Sequence, residues 1–344
     1  MIDVTVVMMG CNYASTTIGP IEVFASAGAL WNQFRGEAAA PRFRVTTVST
    51  DGRPIVTAYG VRLTPDAALD AVERTDLVVV SAIGVDLDDV LTGQRQLLPW
   101  LCHHAARGAY IAGMCTGAAG LAAAGLLEGH EATTHWALAE TYRARFPNVL
   151  WRPEKLITED RRMFCSGGVY ASLDLSLYLV AKLCGRELAL QTARTLVLDM
   201  PRSLQSPYAV LPLSRPHDDA AIRRAEAHLT EHCARPLAIE SLAHRHHMSA
   251  RNFIRRFKAA TGRTPGAYLQ AARVAAAKEL LERGARSVQE VGTTVGYEDA
   301  AFFRALFRRE TGMTPTEYRE RFGRGGVMAP PKRATASRRA GGPR

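Results

Sequence analysis

Short runs of apolar, β-branched residues punctuate the first two hundred positions. Those at 4–8, 43–48, 77–81 and 110–112 are rich in β-branched and apolar residues and predict strands. Stretches with a 3.6-residue period lie between and beyond them, for example at 94–107 and 135–146. Such alternation predicts an α/β unit whose parallel sheet is covered by helices on both faces. Ligands of such sheets bind beyond the carboxyl ends of the strands. Past residue 217 the strand pattern stops and only helical periods remain.

That last third repeats itself. FIRRFKAATGRTPGAYL begins at Phe253, and FRALFRRETGMTPTEYR begins fifty positions later at Phe303. Phe253, Phe257, Thr261, Gly262, Thr264, Pro265 and Tyr268 recur as Phe303, Phe307, Thr311, Gly312, Thr314, Pro315 and Tyr318. Phenylalanines at i and i+4 share one inward helix face. Gly262 and Gly312 end their helices at positive φ, and the prolines prevent resumption. Upstream, LAIESLAHRHH and VQEVGTTVG predict shorter helices, with Ile239, Leu242, Ala243 and Val288, Val291, Gly292 facing inward. Small Ala243 and Gly292 permit close helix crossing. Ser249 and Asp299 are suited to cap the second helix of each pair. The result is helix, tight turn, helix, used twice, in an all-α domain.

Charge sharpens this reading. The chain has 43 Lys plus Arg and 33 Asp plus Glu, a net +10. From Asp218 onward there are 24 basic and 13 acidic residues, so the whole positive excess lies in the repeated third. Clustered cations favour a polyanion, which releases counterions when bound. In the helix-turn-helix arrangement the second helix enters the major groove of double-stranded DNA. The residues expected at the DNA are Ser249, Arg251, Asn252, Ile254 and Arg255 in the first unit, and Asp299, Ala300, Ala301 and Arg304 in the second. Arginine reads guanine through paired hydrogen bonds. With so few base-reading groups, the second helix is expected to anchor phosphate and touch thymine methyls.

On these motifs residues 218–322 resemble the AraC/XylS-type DNA-binding domain, two such units joined by a long helix at 265–283. The resemblance implies sequence-specific DNA binding and RNA polymerase as a further partner. Ala305 departs from it, standing where that family usually has a basic residue.

The sharpest feature of the first part is IAGMCTGAAGLAAAGLL. A strand ends at Ala112, and Gly113-Met114-Cys115-Thr116-Gly117 turns into a helix, the thiol form of a nucleophile elbow. Cys115 at a helix N-terminus is expected to favour thiolate, and the Thr116 amide to face any anion there. With GPIEVF at 19–24, ATTHW at 132–136 and SGGVYASLDL at 166–175, residues 2–200 resemble the ThiJ/PfpI branch of the class I glutamine-amidotransferase-like fold, a flavodoxin-like parallel sheet. The resemblance implies a ligand pocket built from Cys115, Thr116, His135 and the loop at Ile83 and Gly84. Thr16 occupies the position where relatives carry an acidic side chain against the cysteine, so no catalytic residue is expected. The alternative is a thiol-dependent hydrolase or glyoxalase-like enzyme using Cys115 and His135; a redox switch at Cys115 is a third reading.

The remaining features bound the rest. No GxGxxG or P-loop pattern occurs; His244, His246 and His247 lack a cysteine or carboxylate at metal-ligand spacing, and His228 and His232, at i and i+4 as metal ligands can be, are two where more are needed, so neither cofactor nor metal is expected. His103 and His104 read as helix surface. Cysteines 11, 102, 165, 184 and 233 read as buried fillers. No apolar run is long enough to span a membrane, MIDVTVVMMG reads as a strand and not a leader, and six cysteines without a CxxC pair suit a reducing cytoplasm. The expected organisation is a sensing or dimerising domain at 1–200, a proline-rich linker at 201–217, a DNA-binding domain at 218–322, and a disordered basic tail at 323–344. The combined order resembles the amidotransferase-like subgroup of AraC-type regulators. That implies a homodimer and a small-molecule effector.

Overall fold

The computed structural model describes residues 1–84, 96–200, 202, 204–208, 214, 217–284 and 286–323. The chain divides into two compact units, Met1–Ala209 and Val210–Arg344. Most of the linker expected at 201–217, and the tail after Gly323, lie outside the described residues.

The first unit is a seven-stranded sheet: β1 (Ile2–Val7), β2 (Phe43–Ser49), β3 (Ala67–Ala68), β4 (Leu77–Val80), β5 (Tyr110–Gly113), β6 (Ile157–Asp160) and β7 (Met163–Ser166), in the order β6-β7-β5-β4-β1-β2-β3. Its helices are α1 (Ser15–Ser26), α2 (Leu30–Phe34), α3 (Leu97–Ala106), α4 (Ala118–Ala123), α5 (Ala139–Arg145), α6 (Ala171–Cys184) and α7 (Arg186–Thr195). Side chains alternate between two buried faces. Val78 and Val80 join Val7, Ile111, Leu97 and Leu121 on one face; Leu77 and Val79 join Val4, Phe24, Phe164 and Leu175 on the other.

Three expectations change. The sheet is not wholly parallel: β6 runs antiparallel to β7, because Arg161 (φ 54°) and Arg162 close a two-residue hairpin too short for a crossover. The helix expected at 135–146 starts late. His135 accepts the Ala137 amide on Nδ1 (3.2 Å) and caps a 3-10 turn, Trp136–Leu138, before α5 begins. His104 is not a surface residue. It is 1% exposed, with its ring against Trp100 at 4.2 Å. The helix expected at 94–107 is described from Leu97, and 94 and 95 lie outside the described residues.

The second unit holds α8 (Ala220–Glu231), α9 (Ile239–Arg245), α10 (Ala250–Thr261), α11 (Pro265–Arg283), α12 (Val288–Thr294), α13 (Ala300–Thr311) and α14 (Pro315–Phe322). The seven repeated residues build the same lock twice. In the first, Phe253 and Phe257 pack at 5.6 Å, Tyr268 meets Phe257 edge-on at 5.4 Å, and Thr261 Oγ1 donates to the carbonyl of Phe257 or Arg263. In the second, Phe303 and Phe307 pack at 5.8 Å, Tyr318 meets Phe307 edge-on at 5.5 Å, and Thr311 repeats the bonds to Phe307 and Met313. Gly262 (φ 80°) and Gly312 (φ 77°) terminate α10 and α13 in the left-handed region. Gly292 answers the expectation of a close crossing: a Cβ there would lie 3.0 Å from the Phe303 ring.

Candidate functional site

In the first unit the elbow follows β5. Cys115 holds φ 53°, a strained value for a residue with a side chain. Both flanking glycines are sterically required. A Cβ on Gly113 would meet the Ala118 amide nitrogen at 2.8 Å, and one on Gly117 the Val80 carbonyl oxygen at 2.6 Å. The Cys115 amide donates to Ser166 Oγ (3.4 Å), and its carbonyl accepts from Thr134 Oγ1 (3.3 Å). The Thr116 hydroxyl donates to the Ile83 carbonyl, and the Thr116 carbonyl accepts from the Tyr142 hydroxyl (3.1 Å). Thr16 Oγ1 accepts the Ala82 amide (3.1 Å) and donates to the Tyr13 carbonyl (2.8 Å).

Thr16, the 82–83 backbone, Thr116 and Cys115 therefore form one buried, bonded cluster around the elbow. His135 is half-buried, with a Cβ on Gly168 falling 3.5 Å from its ring. Among the described residues no hydrogen bond joins the Cys115 thiol to His135. Gly84, half-buried, is the last described residue before 85–95.

The thiol's ionisation runs against the helix-dipole expectation. Burial pushes Cys115 up to about 11, and the Thr116 amide offsets only part of that. The desolvation penalty outweighs the dipole of the six-residue α4. Burial also holds His135 below the ordinary imidazole value, so it is neutral at pH 7. Two of the cysteines read as fillers, Cys11 and Cys102, are exposed. At pH 8 only about one Cys115 in a thousand is thiolate. Brief alkylation is therefore expected to label Cys11 and Cys102 well before Cys115, with Cys115 labelling rising as pH nears 11. Peptide mass spectrometry reads this, and rapid Cys115 labelling at pH 7 would contradict the buried-thiol geometry.

Sequence reading missed two supports. Ser166 receives the Cys115 amide from β7, a strand not foreseen. Gln205 is 2% exposed and reaches from outside the expected domain. Its Nε2 donates to Thr134 O (2.8 Å), Thr133 Oγ1 (3.1 Å) and Lys155 O (3.1 Å), and its Oε1 accepts the Trp136 amide (3.3 Å). Arg202 likewise ion-pairs with Asp174 (2.6 Å). The packing of the first unit thus continues through Tyr208, beyond the boundary expected at residue 200.

In the second unit Ser249 caps α10 through the Asn252 amide (3.4 Å), and Asp299 caps α13 through Ala301 (2.7 Å) and Phe302 (3.2 Å). Arg251, Ile254 and Arg255 are exposed and Asn252 half-exposed, opposite the buried Phe253 and Phe257. Asn252 Oδ1 accepts from Arg255 Nη2 (2.9 Å) and orients it. Arg256 is engaged elsewhere, gripping Asp219, the cap of α8. On α13, Ala301 and Arg304 are exposed and Ala300 half-exposed. Phe302, overlooked in the sequence, is 51% exposed beside them. Its signal was available, since it aligns with Asn252 at the repeat offset.

A model of the DJ-1/PfpI family matches residues 16–182, and a model of a helix-turn-helix domain matches 242–321. The chain is an AraC-type transcriptional regulator, a DNA-binding protein that carries a DJ-1/PfpI domain before its helix-turn-helix domain. It is similar to two regulators of Pseudomonas aeruginosa. With the HTH-type transcriptional regulator GbdR of strain UCBPP-PA14 it shares 29% identity over 283 residues, 81% of this chain and 75% of that one. With the HTH-type transcriptional regulator CdhR it shares 28% over 281 residues, 81% of this chain and 82% of that one. It is also similar, over less than half its length, to an enzyme. The isonitrile hydratase of Pseudomonas putida is 31% identical over 156 residues, 44% of this chain and 64% of the enzyme. Among the described residues no helix is long and apolar enough to cross a membrane.

Proposed function

We propose that this regulator works in the cytoplasm as a homodimer whose first unit binds a small-molecule effector beside Cys115, Thr116, His135, Gly84 and Thr16. Binding biases the two-state balance of the dimer on its operator and its contact with RNA polymerase. The two α/β units pair about a two-fold axis and present four reading helices. Within each chain, α10 reads bases through Arg251, Asn252, Ile254 and Arg255. Helix α13, capped by Asp299, meets the duplex at its N-terminal end with Ala300 and Ala301 against bases and Arg304 on phosphate.

One observation carries the reading: the same lock built twice, each time with its second helix exposing side chains to solvent. Selection of bound genomic fragments, followed by sequencing, tests it. A recurring two-part motif is expected, and the genes beside it will narrow the effector's chemistry. Absence of enrichment over scrambled DNA at physiological salt would overturn it.

The hydratase relative favours a second reading, a catalytic thiol. Against it stand a neutral His135 without a bond to the thiol, a Cys115 protonated at neutral pH, and Thr16 where a carboxylate would assist. We infer that the first unit binds without turnover. Turnover of any isonitrile, glyoxal or amide that vanishes in Cys115→Ser would reverse that inference.

A further inference from the structure

Outside the reading helices, the second unit gathers another group of basic side chains. Arg224 and His228 lie four residues apart on α8, one helical turn, and Arg245, His246 and His247 follow in succession where α9 ends. These five residues line an open cavity of about 400 Å³. Every one is a guanidinium or an imidazole, and no carboxylate lines the cavity. Arg245 Nη1 lies 3.4 Å from both ring nitrogens of His228. Among the described residues Arg224 has no ion-pair partner. One acid, Glu231, acts on the His228 ring from outside the cavity; it lies 3.9 Å from His232, with 76% of its side chain exposed to solvent.

His246 adds a polar group in need of a partner. Its ring stacks on Phe253 (interplanar angle 3°), and its Nε2 is buried without a hydrogen bond. Burial and the neighbouring cations hold His228 and His246 below the usual imidazole value, so both rings stand to gain from an adjacent negative charge. A structural ion-pair network would interleave carboxylates among the guanidiniums; this lining has none. A tetrahedral dianion matches it, bringing countercharge and several acceptor oxygens to paired guanidinium and imidazole donors.

We propose that this cavity is a phosphate-binding site, filled either by a backbone phosphate of the DNA or by a free phosphate-bearing molecule. The first source deepens the DNA-binding function, seating the duplex at a point away from the bases. The second stands without it.

The test compares the full-length protein with Arg224→Gln/Arg245→Gln in phosphate-free buffer. Duplex affinity is measured across a salt series, and inorganic phosphate is titrated by phosphorus NMR line broadening. A backbone site predicts that the variant loses roughly tenfold in affinity for preferred and scrambled duplexes alike, with the salt slope reduced by about one to two. A free-ligand site predicts unchanged duplex affinity, with phosphate broadening seen in the wild type and lost in the variant. Unchanged duplex binding together with no phosphate broadening in the wild type would overturn the proposal.

Should the double variant melt early, Arg224→Gln alone serves, since that side chain is exposed and holds no hydrogen bond among the described residues. The two readings fail separately. A wild type with no preferred fragment defeats sequence-specific DNA binding, while the phosphate titration remains readable.

Discussion

Replacing Arg251 and Arg255 together by alanine is expected to abolish preference for the cognate fragment. Each guanidinium that reads a base contributes about 1–3 kcal/mol, so the pair loses about 2–6 kcal/mol, from thirtyfold to more than ten-thousandfold in affinity. The geometry supports the upper part of that range for Arg255. Asn252 already holds it at 2.9 Å, so less side-chain freedom is lost on docking. Neither arginine has a carboxylate partner among the described residues, so the loss is not a folding defect. Arg256 is the internal control. It is committed to Asp219, and its removal is expected to lower melting temperature more than specificity. Fluorescence anisotropy with preferred and scrambled duplexes separates the two. Retention of preference within threefold in the double variant would remove α10 from the reading role.

Phe307→Ala is expected to cost about 3–5 kcal/mol, the usual penalty for emptying a fully buried aromatic site. For a domain this small that lowers the melting temperature by about 12 °C or more. The loss should be local. Phe307 belongs to a core with Val274, Leu281, Val291, Phe303 and Tyr318, whereas Phe257 sits in a separate core with Ile222, Leu229, Leu242 and Tyr268. Amide exchange should therefore accelerate across α12–α14 while α8–α10 stay protected, and Phe257→Ala should give the mirror image. Uniform acceleration across both halves in either variant would show that the two cores melt as one.

Local physics was legible in the sequence and through-space physics was not. Gly262 and Gly312 announce where helices stop, and Pro265 and Pro315 where the next ones start, because their backbone constraints act within a residue or two. Gly113 and Gly117 announce the elbow for the same reason. The doubled lock was visible because identical contacts require identical residues at identical spacing. Cys115 shows the limit. The helix dipole follows from order along the chain, but burial reverses its effect, and burial is set by the tertiary fold that brings residues such as Ser166 and Thr134 onto the elbow backbone. Gln205 was invisible because a single amide satisfies groups at 133, 134, 136 and 155, and no periodicity marks such a residue. The antiparallel β6 hid in four residues and a two-residue turn, too short to show a period.

Helix α11 has nineteen residues without a break, fixed at one end by Thr264 and Pro265 and at the other by Gly284. It extends about 28 Å and lends Tyr268 to one core and Val274, Ala277 and Leu281 to the other. It is an inextensible ruler. A promoter that gains one base pair between its two sub-sites rotates one against the other by about 34–36°. On the docking proposed above the protein has no slack there to follow, so its promoters are expected to conserve phase as strictly as they conserve bases.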